Sequence, residues 1–314
     1  MTVGLGAAGV LGLGFEALAT PGTPVAATKF VPIESETLKF SPPINKRRPI
    51  QGTADVVGIK VGKGFVEGDV TFAAFHDVLP YFLYAARTTA VKTGVATPWE
   101  YAFTGAHTAE APYTLSLVVE RNGIVFVYAG CVASKFSFSV TEDVLMVTVS
   151  IIGRTEATGA APTENYGSVG NEFGAGTQSV EFADTVITAI DEVTIDIDDA
   201  GTAQMRTTTS LGADLVTYGE RSIAVSLSSD FENRTEYDLF RAGTTQKFEY
   251  IADDGTHSLI FEAPAAAIDS YDVGLAGQGE LVRATVAYMG VHDDVAGAGY
   301  TLTITTDEDI TVPV

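Results

Sequence analysis

The same succession of local patterns runs through this chain twice, and that repetition limits the available folds more than any other feature. In the first half, Ala54-Asp55-Val56-Val57 leads into the alternating run Asp69-Val70-Thr71-Phe72-Ala73. A helical pattern from His76 to Arg87 follows, then a hairpin signal at Arg121-Asn122-Gly123, then Leu145-Met146-Val147-Thr148-Val149-Ser150 before Gly153. In the second half, Ala213-Asp214-Leu215-Val216 leads into Ser222-Ile223-Ala224-Val225-Ser226-Leu227. A helical pattern from Glu232 to Ala242, the turn Asp253-Asp254-Gly255 and the run Leu281 to Val286 before Gly290 complete the second copy. The offset drifts from 159 (Ala54 to Ala213) to 155 (Phe72 to Leu227), 132 (Gly123 to Gly255) and 137 (Gly153 to Gly290), so loops differ while the order is kept. A duplicated unit predicts a ring or array in which one chain fills two equivalent places.

Each half is long enough to bury its own core. Most periodic segments alternate with period two between Gly, Asp, Asn or Pro, which predicts a mostly β protein with one short helix per unit. The boundaries read as an N-terminal arm over 1–28, a first domain over 29–154, a linker over 155–179, a second domain over 180–296 and a strand-like tail over 297–314. The arm is expected to lay its apolar side chains on a neighbour, so that deleting residues 1–27 leaves folded units that stack poorly. The segment Ser41 to Lys63, with Lys46-Arg47-Arg48-Pro49, is long for a hairpin connection and reads as a protruding loop able to reach a neighbouring subunit. Thr114 to Val119 and Ile124 to Tyr128 flank Asn122-Gly123, which suits a tight type I′ turn. Ser134 to Val140 reads as a further, half-buried strand. The tail, Tyr300 to Ile304 and Ile310 to Val314, has no counterpart at the end of the first unit and reads as a strand for a sheet edge, within the chain or across an interface.

Charge separates the halves. Residues 1–156 hold 12 Lys+Arg against 13 Asp+Glu, whereas residues 157–314 hold 6 against 27, so nearly all of the net −22 belongs to the second half. Nucleic-acid binding needs Lys and Arg on phosphates, and an acidic surface opposes it. Cys131 is the sole cysteine, which excludes an intrachain disulfide. No uncharged apolar run reaches the roughly 18 residues of a membrane span, and no membrane partner is expected. The apolar N-terminus lacks a basic residue before Lys29 and contains Glu16, which argues against a signal peptide and for a protein made in the cytoplasm.

Motifs that would carry chemistry are weak. Gly4-Leu5-Gly6-Ala7-Ala8-Gly9 has dinucleotide-type glycine spacing but no preceding strand, so it reads as part of the arm. Asp196-Ile197-Asp198-Asp199-Ala200-Gly201 begins like a calcium loop, yet Ala200 occupies a ligand position and the later glutamate is missing; it reads as an acidic turn. His76, His107, His257 and His292 lack metal-ligand spacing. Trp99, after Pro98, reads as packing beneath a loop. No catalytic, cofactor or metal residues are assigned, and no enzyme activity is expected.

Several stretches of the first half resemble a known family. They are Gly14-Phe15-Glu16-Ala17, Thr28-Lys29-Phe30-Val31-Pro32-Ile33, Glu36-Thr37-Leu38, Trp99-Glu100-Tyr101-Ala102-Phe103-Thr104, Leu115-Ser116-Leu117-Val118-Val119-Glu120 and Tyr128-Ala129-Gly130-Cys131-Val132. Together they resemble the major tail tube proteins of long-tailed, non-contractile (siphovirus-type) viruses over about residues 1–156. The internal repeat extends the resemblance to the second half. It implies two tandem β-sandwich or half-barrel domains, each with a short flanking helix, and a structural virion protein of the tail, assembled in the host cytoplasm. Three such chains would complete a pseudo-sixfold ring, and stacked rings would form the tube through which genomic DNA passes without specific binding. Implied partners are further copies of the chain and the tape measure, tail terminator and distal tail proteins. An acidic bore lined by part of the second-half charge is expected to keep phosphates from sticking. Two alternatives remain at this point: another ring-forming tail component, such as a tube cap or hub, and a carbohydrate-binding or adhesive β-sandwich protein.

Overall fold

The computed structural model describes residues 9–48, 55–108, 111, 113–141, 144–166, 170, 172–174, 178–206, 211–231, 234–274 and 281–313. Gly4 to Ala8, Pro49, Ala54, Glu232 and Val314, singled out in the sequence, lie outside these. The first half forms β1 (Val10–Phe15), β2 (Lys29–Val31), β3 (Ser35–Glu36), β4 (Lys39–Ser41), β5 (Ile44–Arg47), β6 (Gly58–Val61), β7 (Phe65–Ala73), α1 (Leu79–Tyr84), β8 (Thr88–Thr93), β9 (Trp99–Gly105), β10 (Leu115–Arg121), β11 (Ile124–Thr141), β12 (Val144–Gly153) and β13 (Thr155–Thr158). The second half forms β14 (Gln178–Phe182), β15 (Thr185–Ile187), β16 (Ile190–Asp198), β17 (Thr202–Gln204), β18 (Leu215–Thr217), β19 (Ser222–Asp230), α2 (Thr235–Ala242), β20 (Gln246–Asp253), β21 (Ser258–Gly274), β22 (Arg283–Val291) and β23 (Thr301–Thr306). The protein is thus mostly β and built of antiparallel sheets in a β-sandwich arrangement.

Strand alternation explains the layers. In β12 every second residue, Leu145, Val147, Val149 and Ile151, is buried, while Met146, Thr148 and Ser150 face outward. Asn122 (φ 54°) and Gly123 (φ 78°) form the tight turn into β11, where the left-handed region suits Asn and Gly. The second hairpin differs. A four-residue loop joins β20 to β21, and the Asp254 carboxylate accepts the backbone N–H groups of Thr256 (2.8 Å) and His257 (2.7 Å). Where two strands were expected, Ile124–Thr141 is one strand. Its first part pairs with β10 and its second part with β12, and bulges at two places turn it from one sheet into the other. Gly130 sits at the first bulge with φ +66°, and a Cβ there would lie 2.6 Å from Arg154 Cγ.

The pairing of the first half recurs in the second. Opposite Thr148 of β12 stand Thr71 and Ser137; opposite Thr285 of β22 stand Ser228 and Asp272. These matches set offsets of 157 for β7 to β19 (228 minus 71), 137 for β12 to β22 (285 minus 148) and 135 for β11 to β21 (272 minus 137). Both bulges of β11 recur in β21 at the same offset, the second between Ala133 and Lys135 and between Ile268 and Ser270. Pro264, which has no N–H to donate, sits at the first bulge of β21. Phe72 therefore corresponds to Ser229, not to Leu227 as the sequence pattern suggested. The edge follows the same rule: Ser35 opposes Thr71 and Glu192 opposes Ser228, so β3 and β4 match β16 at 157.

Three sequence expectations need correction. Residues from Val10 onward are not an arm laid on a neighbour: β1 pairs with β10 and β2, and Val10, Leu11 and Leu13 are buried in the chain's own core. The buried Glu16 carboxylate fixes the next turn, accepting from Gly22 N (2.6 Å), Thr114 Oγ1 (2.8 Å), Ser116 Oγ (2.7 Å) and Gly130 N (2.8 Å). Thr155–Thr158, read as linker, is strand β13, and it pairs with β11 as β23 pairs with β21. The C-terminal strand thus has a counterpart, and it pairs within the chain. The missing signal was length, since β13 has only four residues and no apolar alternation.

The helices differ in burial. Pro80 lies in the first turn of α1, as its missing N–H allows, and all six residues of α1 are buried. Phe82 stacks on Phe72 at 5.2 Å and Tyr81 on Phe15 at 5.2 Å. α2 carries Glu236 and Asp238 in its first turn and Arg241 in its last, matching the helix dipole, and ends at Gly243 with φ +62°; none of its residues is buried.

Candidate functional surface

One sheet runs through both halves in the order β3/β4, β7, β12, the second part of β11, β16, β19, β22 and the second part of β21. Its row of directly opposed residues Ser35, Thr71, Thr148, Ser137, Asp196, Ala224, Met289 and Ala267 crosses every strand. One face is the apolar core. The other is clad in small and polar side chains, with Ser139, Thr194, Ser226, Ala287 and Ser270 forming a neighbouring row. Charge on this face follows the division seen in the sequence. First-half strands contribute Lys39, Lys135, Glu67 and Asp69, while second-half strands contribute Glu192, Asp196, Asp198, Asp230 and Asp272 against Arg283. Arg283 is held by Asp191 at 3.0 Å. The face therefore presents hydroxyls and carboxylates and little that would hold a phosphate.

Behind this face the two halves are locked together. β11 pairs with β16 and β9 pairs with β23. At the junction Asp199, with its side chain 4% exposed, takes hydrogen bonds from Arg87 Nη2 (2.8 Å) and Arg221 Nε (2.6 Å). Tyr218 covers the Arg87 guanidinium at 5.5 Å and Tyr300 that of Arg221 at 5.2 Å. At the other end of β23, the rings of His76 and His257 stack at 3.8 Å. Asp77 bonds His76 Nδ1 at 2.8 Å and accepts from Thr306 Oγ1. Burial alone would raise the Asp77 pKa, but these hydrogen bonds and the positive charge of His76 and Lys29 outweigh it and hold the carboxyl below its ordinary value. Glu308, beyond β23, takes bonds from Lys29 Nζ and Tyr81 OH, each at 3.0 Å.

A second surface feature is the antiparallel pair β5–β6, which lies within the long segment read as a protruding loop. Ile44, Ile59 and Val61 are 60%, 70% and 50% exposed, alongside Lys46, Arg47 and Lys60. Exposed apolar side chains beside basic ones suit a protein–protein contact.

The sequence motifs land as follows. Asp196 and Asp198 lie on the polar face, Asp198 accepts Ala200 N at 2.7 Å, and Asp199 turns inward to the arginines, so the acidic turn is a junction element. Among the described residues no three or more His, Cys, Asp or Glu side chains come together in a group that could hold a metal ion. Trp99 opens β9 and is covered by Lys92 Nζ at 3.6 Å. The Arg87–Asp199–Arg221 cluster was not singled out from the sequence, because its members are separated by as much as 134 residues and only the fold unites them. Among curated proteins none matches this sequence. The family model described as phage tail tube protein matches residues 6–313, nearly the full chain, and together with the β architecture and the polar sheet face this shows that the chain belongs to the phage tail tube protein family, structural components of the virion tail.

Proposed function

We propose that three copies of this chain close into a ring with pseudo-sixfold symmetry, each supplying two tube domains, and that stacked rings form the tail tube of a siphovirus-type particle. The observation that carries this reading is the continuous sheet of both halves, polar on one face and, among the described residues, paired on one side only at each of its two end strands. An open sheet end is a row of unpaired N–H and C=O groups, and closure into a barrel removes it. In the closed barrel the polar face lines the bore. Its second-half carboxylates repel the phosphates of passing DNA and its serines and threonines add no positive charge, where a basic bore making 6–10 phosphate contacts would bind DNA with steep salt dependence. The β5–β6 pair reaches the neighbouring ring through Ile44, Ile59 and Val61. Tape measure, tail terminator and distal tail proteins meet the tube inside and at its ends, and assembly takes place in the host cytoplasm. The role is structural and non-enzymatic.

Electron microscopy of the purified protein across salt and concentration tests this. Stacked hollow tubes are expected. Rings that never stack would point instead to a cap or hub, and a persistent monomer would refute the reading.

A further inference from the structure

The two free ends of the shared sheet can be matched residue by residue. Among the described residues, the second part of β21 pairs with β22 on one side only, and β3 and β4 pair with β7 on one side only. Inside the chain, the equivalent strands do meet: β11 lies antiparallel to β16, with Phe136 opposite Ile197, Ser137 opposite Asp196 and Phe138 opposite Ile195. The offsets established above carry β11 onto β21 by adding 135 and β16 onto β3 and β4 by subtracting 157. We propose that β21 of one chain pairs antiparallel with β3 and β4 of the next, with Tyr271 opposite Phe40, Asp272 opposite Lys39 and Val273 opposite Leu38. This rests on the ring reading and specifies its seam.

Nothing in the offsets was chosen to make these pairs complementary, yet they are. Tyr271–Phe40 and Val273–Leu38 put apolar side chains together on the core face, where Leu38 is buried and Phe40 half-buried. Asp272 and Lys39 put opposite charges together on the polar face. Lys39 is 66% exposed and its own partner, Glu67, stands 3.7 Å away. Opposed strand residues of opposite charge and aromatic pairs are both favourable, and a register slip by one residue would put Asp272 on the core side.

The same mapping shows how the seam differs from the junction inside the chain. The places of Asp199 and Arg221 (199 and 221 minus 157) are taken by Pro42 and Gly64, so the buried ion cluster has no copy there. The seam between chains therefore rests on strand pairing and side-chain contacts without that charge cluster.

Charge reversal tests the register in the full chain. Both side chains are exposed, and circular dichroism checks that each variant folds. Asp272→Lys and Lys39→Asp each set like charges across every seam and should raise the concentration for half-assembly about tenfold or more. The double reversal restores opposite charges and should return assembly to the wild-type range. With Asp272→Cys and Lys39→Cys in one chain, oxidation should yield chain-linked multimers on a denaturing gel; Cys131 is buried and does not compete. If wild type forms rings while both single reversals assemble as wild type and the cysteine pair fails to link, the register is wrong and the ring stands. If wild type never closes, the ring reading falls and the seam with it.

Discussion

Replacing Asp199 by alanine should destabilise the folded chain more than removal of any surface ion pair. The carboxylate is 4% exposed, and the side chains of Arg87 and Arg221 are 10% and 11% exposed. Its removal leaves two guanidinium groups confined side by side without a counter-charge. Part of their donor capacity stays satisfied, since Arg87 donates to Gly219 O at 2.8 Å and Arg221 to Arg87 O at 2.8 Å. Removing one partner of a buried pair costs about 3–5 kcal/mol, and the mutual repulsion of the arginines works in the same direction. The comparison is Asp238→Ala, which breaks the Arg234 pair whose side chains are 63% and 60% exposed and which should cost below about 0.5 kcal/mol. Urea unfolding of both variants, followed by tryptophan fluorescence and circular dichroism, reads the difference. A loss for Asp199→Ala under about 1 kcal/mol would refute the claim that this cluster locks the two halves. A triple replacement of Asp199, Arg87 and Arg221 by apolar residues of similar size should recover much of the loss, because the penalty comes from unpaired charge and not from missing volume.

Other predictions follow from single sites. Because the folded-state pKa of Asp77 is lowered, its contribution to stability is present above the ordinary value of 3.8 and is lost as pH falls through the folded value; the stability advantage of wild type over Asp77→Asn should therefore be larger at about pH 5 than at about pH 3 and shrink progressively between them. Burial pushes the Cys131 thiol well above its ordinary range, with the charge of Glu16 adding to the effect, so a thiol reagent should leave native protein unmodified and react once urea unfolds it. Deleting residues 1–27 removes β1, the buried Glu16 and three buried apolar side chains (Val10, Leu11 and Leu13) worth about 1.5–3 kcal/mol each, so the product should be insoluble or markedly less stable; a truncation that unfolds like the full chain would show that β1 is dispensable.

Much of the architecture was legible in sequence because it depends on local alternation. The β12 run from Val144, the Asn122-Gly123 turn and the Pro80-containing helix follow from residue type and spacing alone. The repeat was legible as an order of elements but not as a register. Connections of different length between the strands give each strand its own offset, and a period-two alternation reads the same after a slip of two residues, so Phe72 was matched two residues away from its partner. The stretch from Val10 to Ala27 was misread because a Gly-rich apolar segment looks the same whether it covers a neighbour or its own core. Here Gly12 and Gly14 let Ala26 and Ala27 approach, where an added Cβ would lie 2.6 Å from Ala26 O and 2.5 Å from Ala27 Cβ. The polar sheet face left only a compositional trace, the acidic excess of the second half. Its continuity depends on the pairing of β11 with β16, which no local pattern encodes.

Native mass spectrometry of the smallest closed assembly tests the central claim most directly. Two equivalent places per chain require three chains in each ring, so the assembly should weigh three times the chain and stack in multiples of that unit. A closed ring of six chains would contradict the proposal that each chain fills two places.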